Sequence, residues 1–260
     1  MRIIFIRHAE PNYEIDSLTE KGWREARLLG ERVKNWKVTD FYASPLGRAQ
    51  DTAKPAMEAL SRSFIVKDWL EEFDAPVTSL SDPAQKTIAW DLYPKYLDEH
   101  PELFDREKWV TSPFLQTGNV ASHYKEVCKS MDELLASYGY HRNGLYYCSP
   151  KDHIATNHFM KYNGTTIECL KNSKTDDTTI VCFCHLGVML TIISHLINTS
   201  PFTLWQGFFI PPSSVTVLST EERNPGEAYF RCQVMGDTSH LRMNGEPVSF
   251  YGFFTEPFQG

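Results

Sequence analysis

Two unbroken apolar runs constrain this chain more than any other feature. Met1–Ile6 reads MRIIFI and Thr179–Cys184 reads TIVCFC, each short and without polar–apolar alternation apart from Arg2. A strand with one wet face alternates, so runs of this kind belong to strands covered on both faces. Each run ends abruptly on a polar pair or residue, Arg7-His8 after the first and His185 after the second.

The segments between them alternate in type. Trp23, Ala26, Leu29 or Gly30, and Val33 recur at helical spacing, which predicts an amphipathic helix over Trp23–Trp36 with Thr19 as N-cap. Phe41-Tyr42-Ala43 reads as a second strand, Ser44-Pro45-Leu46 as a turn, and Gly47 to about Leu60 as a helix, with Pro55 expected in its first turns. Phe64–Leu70 is a third strand candidate. Strand–helix alternation of this kind predicts βαβ units, hence an α/β fold of three α/β/α layers around a mostly parallel sheet.

From about Asp74 the rhythm changes. Residues 74–123 hold Pro76, Pro83, Pro94, Pro101 and Pro113 with aromatic residues between them, which reads as a helical and loop insertion capping one end of the sheet. Trp90, Tyr93, Tyr96, Phe104 and Trp109 are expected to form that insertion's own small core, or alternatively to line a substrate pocket. Val120–Tyr138 predicts a helix, Leu145–Cys148 a hairpin, Val188–Ile197 an apolar helix, and Ser214–Ser219 and Tyr229–Val234 two further strands. The whole, residues 1–260, is expected to be one domain with 74–123 as the cap.

Charge narrows the partners. The 33 acidic residues outnumber the 26 basic ones, for a net charge of −7. Nucleic acid and anionic membrane both reward a basic surface, so neither is expected as partner. A few inward-facing Arg and His residues still suffice for one small phosphorylated ligand. The six cysteines form no Cys-x-x-Cys pair, and no stretch reaches the ~20 apolar residues of a membrane span, so a reduced, cytoplasmic protein is expected. The apolar run after Arg2 is too short for a signal peptide. His153 and His158, five apart, do not share a helix face, so no zinc site is expected there. Oligomeric state is not legible.

Four segments fall just beyond predicted strand ends: Arg7-His8, Ser44–Ala53 with Arg48, Leu70-Glu71-Glu72, and Cys184-His185-Leu186-Gly187. In open α/β sheets that edge is where ligands bind. The residue types suit a phosphoryl group, whose oxygens need fixed cationic donors, here Arg7 and Arg48. Arg48 near a helix N-terminus opposes the helix dipole, which an anion held between the two would relieve. His8 and His185 supply a nucleophile and a donor, since neutral imidazole is available near pH 7. Glu72 or Glu71 is placed to protonate a leaving alcohol if its pKa is raised.

These pieces resemble the histidine phosphatase superfamily, with its phosphoglycerate-mutase-like fold. The resemblance rests on Arg7-His8-Ala9-Glu10, Leu18-Thr19-x-x-Gly22, Ser44-Pro45-Leu46-x-Arg48-Ala49-x-x-Thr52-Ala53, Leu70-x-Glu72 and His185-x-Gly187. It implies that His8 becomes phosphorylated, that Arg7, Arg48 and His185 hold the phosphate, and that Glu72 rather than Glu71 is the proton donor. It implies no metal and no cofactor. The chain departs from the family pattern at Ala9, where Gly is common, and at Pro11, Glu14 and Leu186. Asn12 or Tyr13 is expected to supply one of the phosphate contacts that the family makes from the positions of Pro11 and Glu14. The expected activity is phosphomonoester hydrolysis. A phosphoglycerate-type mutase is the first rival, disfavoured because 74–123 carries few basic residues, and a non-catalytic phospho-ligand binding module on the same fold is the second.

Overall fold

The alternation missing from the sequence of the first strand is present in its packing. A computed structural model describes residues 1–150, 177–224, 226–253 and 255–259. The first strand, β1 (Arg2–Arg7), sends Ile3 and Phe5 into one apolar core and Ile4 and Ile6 into another. Both faces of the sheet are therefore covered, as an unbroken apolar run requires.

Two short strands, β2 (Pro11–Asn12) and β3 (Ser17–Leu18), pair as a hairpin before α1 (Glu20–Val33). The helix starts earlier than the apolar periodicity suggests because Thr19 caps it, its hydroxyl accepting from Gly22 N at 3.0 Å. There follow β4 (Asp40–Ala43) and α2 (Gly47–Leu60). Pro55 lies past the middle of α2, not in its first turns. It is tolerated there at a close crossing with α1: a Cβ on Gly30 would come within 3.0 Å of Pro55, so glycine lets the two helices meet.

The third strand is much shorter than expected. Only Ile65–Val66 (β5) pairs with the sheet, and Asp68–Leu70 winds into a 3₁₀ turn that carries Leu70 into the core. Residues 74–123 contain the hairpin β6 (Val77–Thr78) and β7 (Lys86–Thr87), the helix α3 (Pro94–Glu99), and three 3₁₀ turns. This segment does not keep a core of its own. Leu103, Trp109, Phe114 and Leu115 join the main core under the sheet, while Tyr93 and Phe104 stay exposed.

The remaining described elements are α4 (Val120–Ser137), β8 (His141–Asn143), β9 (Tyr146–Cys148), β10 (Thr179–Cys184), α5 (Leu186–Leu196), α6 (Pro201–Gly207), β11 (Val215–Asn224), β12 (Glu227–Asp237) and α7 (Ser239–Arg242). His153, His158 and Cys169 lie outside the described residues.

The sheet order is β5-β4-β10-β1-β11-β12-β9-β8. From β5 to β1 every pair is parallel; from β1 onward the neighbours are antiparallel, so that only β11 and β9 run against the other six strands. Helices α1 and α2 cover one face, and α4, α5 and α6 the other, giving the three α/β/α layers. Among the described residues no helix is long and apolar enough to cross a membrane.

Candidate active site

Because β1, β4 and β10 are parallel neighbours, their C-terminal ends lie side by side, and the residues that follow them are forced together. His8 N donates to Cys184 O at 2.9 Å, and Ser44 N donates to Phe183 O at 2.9 Å. These backbone bonds extend the ladder just past the strands and fix where His8, Ser44 and His185 begin.

The two imidazoles meet. His8 and His185 have ring centroids 5.1 Å apart, tilted by 54°, and are 2% and 0% exposed. Nδ1 of His8 lies 2.8 Å from Ala9 O. A carbonyl only accepts, so Nδ1 carries the proton and the lone pair is on Nε2. Burial, reinforced by the Arg7 charge, holds the His8 pKa well below its usual value, so the ring is neutral at pH 7. His185 is lowered in the same way by burial and by His8.

Two guanidinium groups flank the rings. Arg7 donates from Nη1 to Ile210 O at 2.6 Å and lies over the Phe209 ring at 5.2 Å. Arg48, at the start of α2, donates from Nη1 to Asp16 Oδ1 at 2.6 Å and lies over the Tyr13 ring at 5.1 Å. Each leaves a buried Nε without a partner, and His185 leaves a buried Nδ1 in the same condition. An unmade buried hydrogen bond costs about 1–3 kcal/mol, more for a charged group, so three in one place are a sizeable fraction of a net stability of about 5–15 kcal/mol. All three are nitrogens on residues gathered at this one sheet edge.

Glu72 approaches from the loop after the 3₁₀ turn. Its Oε1 accepts from Phe73 N at 2.8 Å and from Val188 N, in the first turn of α5, at 3.0 Å. Burial raises its pKa, opposed by those two N–H groups and by Arg7 and Arg48. Glu71, its neighbour, is exposed. Gly187 makes the approach possible: a Cβ there would lie 2.2 Å from Trp90 Cη2 and 2.8 Å from Glu72 Oε1. Leu186, the residue after His185, begins α5 and lines a cavity of about 700 Å³ that also borders Arg7 and Glu72.

Of the residues singled out from sequence, Arg7, His8, Arg48, Glu72 and His185 thus converge. Asn12 is turned toward its own loop, its Oδ1 accepting from Glu14 N at 3.1 Å, which leaves only its Nδ2 hydrogens for a ligand. Tyr13 sits against the Arg48 guanidinium. Three further residues hold the site, and sequence reasoning gave them no role of their own. Thr52 accepts from Ala9 N at 2.9 Å while donating to Arg48 O at 2.7 Å, which ties the His8 turn to α2. Ser44 Oγ is 2.7 Å from His185 Nε2. Asp16, besides pairing with Arg48, accepts from Gly47 N at 2.6 Å. Ser44 and Thr52 were visible within the Ser-Pro-Leu motif; Asp16 lies in a loop with no pattern to mark it.

Fold and cluster together define the class: an α/β protein with two neutral histidines and two arginines gathered at the C-terminal edge of a sheet. Residues 3–102 match the histidine phosphatase superfamily (branch 1). A probable phosphoglycerate mutase GpmB of Yersinia pestis is 33% identical over 86 residues, 30% of this chain and 40% of that protein. The chain thus spans well under half the length of the curated relatives it matches. A mycobacterial glucosyl-3-phosphoglycerate phosphatase superposes with a TM-score of 0.55 at 17% identity, over 91% of this chain and 99% of that one. A phosphoserine phosphatase from Entamoeba histolytica gives 0.53 at 19% identity, over 92% and 98%. At these identities the likeness is one of fold. The residues that the family description matches, 3–102, are those that carry Arg7, His8, Arg48 and Glu72.

Proposed function

We propose that this protein is a phosphomonoester hydrolase that works through a phosphohistidine on His8. The observation that carries the reading is the set of three unpartnered buried nitrogens, Arg7 Nε, Arg48 Nε and His185 Nδ1, beside a neutral His8. A phosphoryl dianion supplies the acceptors these groups lack, and the arginines supply the positive charge it needs. For His185 to offer Nδ1–H, its Nε2 must accept the Ser44 hydroxyl proton, so Ser44 sets that tautomer.

The reaction then runs in two displacements. His8 Nε2 attacks phosphorus in line, the ester P–O bond breaks, and Glu72 gives its proton to the departing alkoxide. The resulting Glu72 carboxylate takes a proton from water as that water attacks the phosphohistidine, which releases phosphate and restores both residues. Residues 74–123 act as a cap over the site within a single domain, and Asn12 supplies at most an outer contact through Nδ2. The five described cysteines are free thiols, which supports a reducing, cytoplasmic setting.

His8→Ala is expected to lower hydrolysis of p-nitrophenyl phosphate by about 10³-fold or more. Wild type, but not the variant, should carry acid-labile phosphate after rapid quenching. Retained turnover in His8→Ala rejects the nucleophile. The names of the curated relatives favour a mutase as second reading. Scoring phosphoglycerate isomers alongside free phosphate separates the two.

A further inference from the structure

The cavity beside the cluster is built for something other than a small anionic acid. It measures about 700 Å³ and borders Arg7 and Glu72. Its walls include Trp90, Trp205, Phe208, Phe209, Leu186 and Ile88. Trp90 and Trp205 are stiffened by contact, with centroids 5.3 Å apart and Phe73 packed against both at 6.2 and 5.4 Å. Phe208 and Ile88, by contrast, are exposed apolar side chains, at 45% and 40%. Large exposed apolar groups that share a cavity mark a ligand surface rather than a core.

The charges around this cavity point the same way. Among the described lining residues Arg7 is the single cation; Glu72 and Asp91 are acidic. Arg7 already gives one nitrogen to Ile210 O, and the proposed phosphate site takes its remaining donors. Gln206 gives one amide hydrogen to Trp90 O at 2.6 Å, and being neutral it brings no positive charge to the cavity. Among these described residues, a carboxylate on the leaving group would therefore meet the Asp91 side chain and no free cation, with Glu72 in its protonated, uncharged form, an arrangement that selects against it.

From this we infer the substrate class: a phosphomonoester whose alcohol is bulky, apolar or aromatic, and uncharged, with phosphoglycerate and phosphoserine as poor substrates. The inference rests on the hydrolase reading above and adds the leaving group to it. A phosphoserine-sized alcohol would leave most of the cavity to water, whereas an aryl-alkyl group buries apolar surface against rigid rings.

The test compares 2-phenylethyl phosphate with phosphoserine, 3-phosphoglycerate and glycerol 3-phosphate. All four are alkyl esters, so differences in leaving-group acidity are minor. The phenylethyl ester is expected to lead by about 100-fold in kcat/KM, chiefly through a lower KM. Phe208→Ala and Ile88→Ala, at exposed positions outside the catalytic cluster, should each reduce that lead by raising KM for the phenylethyl ester alone. Hydrolysis with phosphoserine or 3-phosphoglycerate equal or better overturns the inference and leaves the hydrolase reading standing. No hydrolysis of any ester and no phosphoenzyme removes the hydrolase reading, and this inference with it.

Discussion

His8 illustrates how much a single backbone contact decides. The Ala9 carbonyl on Nδ1 leaves Nε2 unprotonated, and burial keeps the ring from charging. His8 acts when unprotonated, so activity should rise with pH through its depressed pKa. Glu72 acts when protonated, so activity should fall as pH rises through its raised pKa. For an alkyl ester, kcat/KM is thus expected to peak between the two. In Glu72→Gln it should drop by about 10²–10⁴-fold and lose its falling limb, while aryl esters, whose leaving groups need no proton, slow less. Comparing variant with wild type cancels the ester's own ionisation at ~6. A falling limb that persists in Glu72→Gln assigns the acid elsewhere. Gly187 supports the same carboxyl from outside the chemistry. Gly187→Ala would drive a methyl into Trp90 and Glu72 Oε1, so kcat on alkyl esters should fall with the fold retained by circular dichroism. Unchanged kinetics would mean that Trp90 and Glu72 can move apart freely.

Helix α1 carries a buried acid that no motif announced. Glu25 is 0% exposed, accepts from Glu10 N at 2.9 Å, and pairs with Lys21 at 3.0 Å. Burial outweighs the Lys21 charge and raises its pKa to about 7. The folded state therefore holds this proton more tightly than the unfolded chain does. The stabilisation is present below the unfolded value of ~4.3 and is lost as pH rises through about 7, a change of about 4 kcal/mol. Glu25→Gln, which can still accept from Glu10 N, should flatten unfolding free energy between pH 5 and 8, read by urea titration. A slope equal to wild type would show that Glu25 ionises freely. The same element shows what sequence could and could not reveal. The apolar stripe of α1 and its Thr19 cap were legible because both obey local rules. Glu25 was not, because its burial comes from Glu10 and the packing around it. Likewise the shortening of β5 follows from tertiary packing: Ile65 and Val66 pair on one side only, at the sheet edge, and the chain gains more by turning Leu70 inward.

At the scale of the molecule, the convergence of His8, Arg48 and His185 was legible because parallel strands line up their ends; what covers those ends was not. Residues 246–253 have no periodicity, yet they cross the site. Tyr251 meets Tyr13 at 5.6 Å between centroids, Phe253 meets Phe209, and Gly252 lies 3.6 Å, measured from an added Cβ, from Arg7 Nη2. The anchor of the segment is Glu246, bonded to Lys21 Nζ and Arg24 Nε at 3.0 Å each, with Ser249 Oγ on Glu10 Oε2 at 2.7 Å. Ion pairs with one exposed partner hold position more than they add stability. Glu246→Ala should therefore leave the thermal midpoint nearly unchanged while freeing the segment. The readouts are faster chymotryptic cleavage at Tyr251 and Phe253, and a KM for p-nitrophenyl phosphate raised by about 3- to 10-fold with kcat retained. Screening gives an independent check, since at 1 M salt the Debye length falls to about 3 Å and wild type should approach the variant's KM. If wild type is insensitive to salt and Glu246→Ala keeps its KM, the segment is held over Arg7 by its aromatic contacts alone.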